Sequence, residues 1–328
     1  MLNYKTFIKT TNAYKTLDMD INSSRISHAY LFTSVDDNYL YSFAEEFSKM
    51  LININEDKNI QNNNSRIEKG IFPDVIVYGK ESSIDAQKVN EIVEKSQVSP
   101  FEADKKIFVL LNVQNMNEIS QNKILKTIEE PPKNTFFILC ANETTRILQT
   151  ILSRVKKIDL DEIDSVIISK MLIDFGVEEG RAEICANCSN GNASFAEKLS
   201  NDNSFVEFFN KIVSCFFYIN GSRDVLQFSN YFTAKNIDKN EFFNVSLLIL
   251  RDLAYILAES ENLVVCKNIF DKLKLIAVSL NLSSITILID TCIMAKKDLL
   301  FNTNPTSVVD NFLFKLAEVK IKCKRLLQ

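Results

Sequence analysis

Phosphate chemistry, metal binding and acid–base catalysis each need particular side chains at particular spacings, and this sequence offers few candidates. Gly79-Lys80 suggests a phosphate loop, but that loop reads G-x-x-x-x-G-K-[ST], because only glycine lets backbone amides close on phosphate at a helix N-terminus. Asp74 stands where the first glycine belongs, and Glu81 follows the lysine. Cys185-Ala186-Asn187-Cys188 is a C-x-x-C, yet one pair supplies two ligands where zinc takes four. His28 is the sole histidine and, with no nucleophile and acid paired to it, reads as a structural residue. Glu129 and Glu130 are neighbours; on a helix they point about 100° apart, so they cannot flank one substrate. Arg154, after Ser153, is the remaining candidate. A planar guanidinium can donate paired hydrogen bonds to phosphoryl oxygens, although an isolated arginine near a strand end more simply makes a surface ion pair. Neither a cofactor nor a metal is expected.

The elements that must position these residues change character along the chain. In the first half, near-continuous apolar runs at Ala29–Thr33, Val75–Tyr78, Lys106–Leu111 and Thr135–Cys140 predict buried parallel strands. Between them, Leu40, Phe43, Ala44, Phe47, Met50 and Leu51 give Asn38–Leu51 a helical period. A second helix is predicted over Ser120–Glu130, with Ile124, Leu125 and Ile128 as its face, Ser120 as N-cap, and Pro131-Pro132 as its stop. Asn53–Ser65, rich in Asn, Asp and Lys, reads as an exposed loop. Strands alternating with helices imply an α/β layer. From about Asp161 onward the periodicity is helical throughout, as in Leu250, Leu253, Ala254 and Leu257, or Val308, Val309, Phe312, Leu313 and Leu316. Gly191, Gly221 and Asn304-Pro305 punctuate this region. Phe205, Phe208, Phe209, Phe216 and Phe217 recur at helical spacing and read as core or subunit packing rather than base stacking.

Composition narrows the function classes. The 328 residues are 46% hydrophobic and 24% charged, which suits two or three globular domains. A net charge of −4 and a pI near 5.4 do not describe a chain that grips nucleic acid along its length. Seven scattered cysteines make no disulfide framework. The N-terminal residues are polar and the apolar runs too short for a bilayer, so a cytoplasmic protein with no membrane association is expected.

Three passages together resemble the clamp-loader branch of the AAA+ family. They are Arg25-Ile26-Ser27-His28-Ala29-Tyr30-Leu31-Phe32, then Asn122-Lys123-Ile124-Leu125-Lys126-Thr127-Ile128-Glu129-Glu130-Pro131-Pro132-Lys133-Asn134-Thr135, and Thr150-Ile151-Leu152-Ser153-Arg154-Val155. The second is similar to the family's NALLKTLEEPP helix and is the most specific. The third is similar to its Ser-Arg-Cys motif, with Val155 in place of the cysteine. Gly70-Ile71-Phe72-Pro73-Asp74, Ile84-Asp85, Asn190-Gly191-Asn192-Ala193 and Asn302-Thr303-Asn304-Pro305 add weaker support. The strong matches cover roughly residues 25–160. The resemblance implies an AAA+-type parallel sheet domain over 1–160, a small helical lid over 161–203 and an all-α collar domain over 204–328 that packs into a pentamer.

Within that resemblance the missing residues define the subtype. After the first strand the chain reads Thr33-Ser34-Val35-Asp36-Asp37-Asn38, with no glycine, no lysine and two carboxylates where phosphate charge would sit. At the end of the Lys106 strand, Asn112 and Val113 replace the acids that would hold Mg²⁺ and polarise water. The cysteines that many bacterial members carry for zinc after the first helix are missing from Leu51–Gly70. The resemblance therefore implies a subunit with no intrinsic activity, set in a ring with gamma/tau and delta clamp-loader subunits and acting through them on the sliding clamp and primed DNA. Its Arg154, with Ser153, would reach into a neighbour's ATP site in trans. The competing readings are a divergent ATP-binding gamma/tau-type subunit and a DNA-binding scaffold. Equilibrium binding of Mg-ATP separates the first of these: the isolated chain should show no micromolar affinity, and saturable micromolar binding would make it an ATP-binding subunit.

Overall fold

The computed structural model describes residues 2–54, 59–80, 82–234, 237–300 and 303–326. Residues 55–58 of the predicted loop, together with Glu81 and Asn302, lie outside the described residues. The chain separates into two compact units, one formed by residues 1–163 with 192–195 and the other by 164–191 with 196–328.

The first unit is built on five parallel strands: β1 (Ala29–Thr33), β2 (Val75–Tyr78), β3 (Lys106–Leu110), β4 (Thr135–Ala141) and β5 (Lys156–Asp159), in the order β2-β3-β4-β1-β5. Its helices are α1 (Lys5–Ile8), α2 (Asn12–Asn22), α3 (Asp37–Ile52), α4 (Ile60–Glu68), α5 (Ala86–Ser96), α6 (Glu118–Glu129) and α7 (Gln149–Leu152). Every residue of β1 and β3 is buried, as continuous apolar runs require, whereas β2, expected to be buried as well, lies at the sheet edge and is buried only at Tyr78. Phe108 and Phe137 stack at 5.4 Å across β3 and β4, and Ile124 and Ile128 of α6 enter the same core. This order leaves β1 between β4 and β5, so the turn from β1 into α3 lies at the carboxyl end of a central strand, where doubly wound sheets bind their ligands. The architecture is a five-stranded parallel α/β sheet, as expected, followed among the described residues by helices.

Three local expectations need correction. β5 carries Lys156 and Lys157 in a four-residue edge strand with alternating half-burial; edge strands are short and charged, so no apolar run announces it. Asn117, not Ser120, caps α6, its side chain accepting the Ser120 amide. The polar stretch after α3 is not all loop, because α4 begins at Ile60.

Tertiary contacts explain that polar helix. Lys49, buried on α3, sits 2.8 Å from Glu45, 2.5 Å from Glu46 and 2.8 Å from Glu68 of α4. Glu68 also pairs with Lys5 at 2.6 Å, and Asn53 bridges to Asn63 and Asn64. Burial alone would lower the Lys49 ammonium, but hydrogen bonds to the three carboxylates outweigh it and raise its pKa. These carboxylates form the one grouping of three possible metal-ligand atoms among the described residues, and an ammonium already lies among them.

The second unit contains α8 (Ser165–Asp174), α9 (Glu179–Cys188), most of α10 (Ala193–Asn201), α11 (Asn203–Tyr218), α12 (Ser222–Phe232), α13 (Lys239–Leu257), α14 (Phe270–Ala277), α15 (Leu282–Leu300) and α16 (Pro305–Leu326). Phe205, Phe208, Phe209 and Phe216 are buried as the helical spacing required, while Phe217 is exposed. Phe232, Phe242, Phe243 and Phe312 form a web of ring contacts linking α12, α13 and α16. Lys320 is buried and donates to the carbonyls of Phe216 and Phe217 at the end of α11; burial pushes its pKa down to about 8. Cys185 and Cys188 are both buried, with their thiols pushed up by burial. No single helix among the described residues is long and apolar enough to cross a membrane.

The Glu68 carboxyl, held down to about 2 by Lys49 and then Lys5, gives a pH test. A carboxyl more acidic folded than unfolded stabilises fully above its ordinary value of 4.5 and loses that contribution as pH falls toward 2. Thermal melts of Glu68→Gln should therefore fall below the parent at pH 7 and converge with it near pH 2–3; a constant gap across that range would contradict the linkage.

Candidate functional site

The turn at the end of β1 positions two acids. Asp36 is the N-cap of α3: its Oδ1 accepts the amides of Asn38 at 3.0 Å and Tyr39 at 3.1 Å, as Asp does at a helix start. It is also fully buried. The Tyr4 hydroxyl donates to its Oδ2 at 3.1 Å. Ser194, at the start of α10, donates its amide to Oδ2 at 3.0 Å and its hydroxyl to Oδ1 at 2.5 Å. Asn192 fixes this segment twice, donating Nδ2 to the Val35 carbonyl at 2.9 Å and accepting the Phe195 amide at 2.8 Å. Two helix N-termini thus converge on one carboxylate. A helix N-terminus is an anion site, and here the chain's own anion fills it. Sequence reasoning had both acids repelling phosphate from an open turn. In the fold, Asp36 is turned inward and held by the chain's own donors.

The neighbouring strand ends carry an amide chain in place of metal-binding acids. Asn112, in the left-handed region at φ 56°, donates to the Gly79 carbonyl at 3.3 Å. Gln114 donates to Asn142 at 2.9 Å, and Asn142 to Asp37 at 2.9 Å. The cavity beside them measures about 200 Å³ and is lined by Asp37, Asn38, Tyr41, Lys80, Leu111 and Asn112, among others. That is below the roughly 300–1,000 Å³ typical of small-molecule sites. Lys80 lies over the Tyr41 ring, 4.5 Å from its centroid. Gly79 is structural: at φ +87° an added Cβ would stand 2.3 Å from the Leu111 carbonyl oxygen, so only glycine fits.

Arg154 follows α7 at the surface, half-buried, with its amide bonded to the Ile151 carbonyl at 2.9 Å. Its Nη1 donates to the Thr150 carbonyl at 3.0 Å and to Ser153 Oγ at 3.3 Å. Nη2 donates to Glu129 Oε1 at 3.3 Å. Nε lies 3.1 Å from Glu129 Oε2 without hydrogen-bond alignment. Ser153 Oγ itself donates to the Thr150 carbonyl at 3.1 Å. The two predicted site residues are therefore together, and Arg154 is joined to Glu129 at the end of the helix with the most specific resemblance.

One positioning residue escaped the sequence reading. Gln121 of α6 is buried; its Nε2 donates to the carbonyls of Met116 at 3.0 Å and Arg146 at 2.9 Å, and its Oε1 accepts the Leu148 amide at 2.8 Å. It joins the turn after β3 to the segment entering α7, and so sets where Ser153 and Arg154 stand. The available signal was its place on the α6 stripe, three residues before Ile124 and seven before Ile128, where a polar side chain must find partners.

Residues 9–164 match the family described as DNA polymerase III, delta subunit. The delta-prime subunit of DNA polymerase III from Bacillus subtilis is 27% identical over 319 residues, covering 93% of this chain and 95% of its own. The tau subunit from the same organism is 30% identical over 187 residues, covering 54% of this chain and 33% of its own. The chain is accordingly similar to clamp-loader subunits of DNA polymerase III. Within that class its likeness is to the delta-prime subunit, which of these two relatives is the one matched along nearly its whole length.

Removing the Asp36 acceptor takes the side-chain partner from amides at the starts of α3 and α10, and each buried donor left unsatisfied costs about 1–3 kcal/mol. Asp36→Ala should lower the unfolding free energy by at least about 3 kcal/mol in denaturant titration, and an effect under about 1 kcal/mol would mean the carboxylate does not hold this junction.

Proposed function

We propose that the chain is a non-hydrolysing, delta-prime-like subunit of a bacterial clamp loader that lends Arg154 to the ATP site of a neighbouring gamma/tau subunit while the sliding clamp is loaded for DNA replication. The observation that carries this reading is the Asp36 carboxylate at the two converging helix N-termini. A triphosphate would have to displace a buried anion that five donor groups already hold, without the glycines or lysine that would replace those bonds. The absence of acids at Asn112 and Val113 points the same way, since no carboxylate there would hold Mg²⁺.

What is left for phosphoryl transfer is a guanidinium at the surface. Charge spreads over the equatorial oxygens as the γ-phosphoryl group transfers, and an arginine delivered from outside is worth about 10³–10⁵ in rate where such fingers operate. Ser153 and Arg154 directly follow the short α7, whose entry Gln121 of α6 fixes, so the arginine rides on a braced support rather than a loose loop. In the same reading residues 161–203 serve as a lid and 204–328 as the collar through which the subunit joins gamma/tau and delta in the cytoplasm. The sliding clamp and primed DNA are met through the assembled complex.

Reconstitution with gamma/tau, delta, clamp and primed DNA tests the role. Arg154→Ala should elute in the complex like the parent yet lose most of the clamp-stimulated ATP turnover, and Arg154→Lys should not restore it, because a point charge lacks the planar fork. Unchanged turnover in an intact Arg154→Ala complex would remove the finger.

A further inference from the structure

The proposed donor is not idle in the subunit by itself. Arg154 has five N–H groups. Two go from Nη1 to Thr150 and Ser153, one goes from Nη2 to Glu129, and Nε is pressed against the second oxygen of that same carboxylate. The guanidinium is therefore turned back on its own unit, with its acidic partner on α6 and its neutral partners on α7 and the residue after it. We propose that Glu129 is a positioning residue that latches Arg154 in this parked state, so that the finger is released only when a denser anion, the triphosphate of a neighbouring subunit, competes for it. This inference rests on the donation of Arg154 in trans and adds its regulation.

Two independent features support a latch over an incidental ion pair. Glu129 is the last residue of α6, and Glu130 follows it. A carboxylate at a helix C-terminus opposes the helix dipole and is locally unfavourable by about 0.3–1 kcal/mol, so α6 gains nothing from this acid. The second feature is strength. The pair is partly open to solvent, with Glu129 54% and Arg154 35% exposed at the side chain, and exposed pairs contribute only about 0–1 kcal/mol. A contact that weak holds an arginine in place without preventing its capture by a phosphate bearing more charge at shorter range. Glu130, exposed and beside Glu129 in sequence, supplies a matched control for loss of one negative charge.

The test is steady-state ATP turnover by the reconstituted complex without clamp or primed DNA. Glu129→Gln should raise this basal turnover about 2–5-fold, the factor that releasing up to about 1 kcal/mol allows. Glu130→Gln should leave it unchanged, and adding Glu129→Gln to Arg154→Ala should have no effect. Turnover unchanged or lowered by Glu129→Gln, or raised equally by Glu130→Gln, overturns the latch while leaving the finger standing. If Arg154→Ala alone changes neither basal nor clamp-stimulated turnover, the finger itself fails and the latch with it. Thermal melts of the isolated Glu129→Gln subunit, expected within a degree or two of the parent, separate a fold defect from release.

Discussion

The first unit turns on a buried carboxylate that neutralises two helix ends at once. Each α-helix N-terminus presents unpaired amides and a partial positive charge. In a nucleotide-binding α/β fold that charge is left free for phosphate. Here Asp36 consumes it for α3 and again for the segment opening α10. The consequence is mechanical as well as chemical. Residues 192–195, distant in sequence, become part of the first unit through Ser194 and Asn192.

The same substitution of internal bonds for ligand bonds recurs along the strand ends. Asn112, Gln114 and Asn142 pass hydrogen bonds from Gly79 to Asp37, covering the edge where an ATPase needs carboxylates. Gln121 then carries the order sideways, joining the β3 turn to the α7 segment. Under the proposed reading, that chain of contacts is what makes a lent arginine useful, since a misplaced donor loses most of its effect on a transition state. The parked guanidinium and the braced α7 support are then complementary: the support fixes where the finger stands, and the carboxylate on α6 governs when it is free.

Lys49 shows how far tertiary context overrides local composition. Its ammonium draws Glu68 onto α3, and this pairing together with the Asn53 bridges turns an asparagine-rich stretch into a helix. Lys320 does the analogous work in the second unit, satisfying the last carbonyls of α11 from within α16. Both lysines are buried where apolar periodicity alone would have placed them at the surface.

The sequence by itself determined the four apolar strands, the helical second half, and the absence of the residues that bind phosphate and magnesium, because buried parallel strands need continuous apolar runs and phosphate loops need glycine. It also marked Ser153 and Arg154 through their place after a recognisable helix. Only the tertiary structure decided the rest. β5 is an edge strand whose pairing with β1 supplies what its composition lacks. α4 depends on a lysine eleven or more residues away. The role of Asp36 needs Tyr4 and Ser194, which lie 32 and 158 residues from it in sequence. Glu129 meets Arg154 across 25 residues. Periodicity reports which face of an element is buried, but a buried polar group is satisfied by whatever the fold brings to it, and that partner is written nowhere near it in the chain.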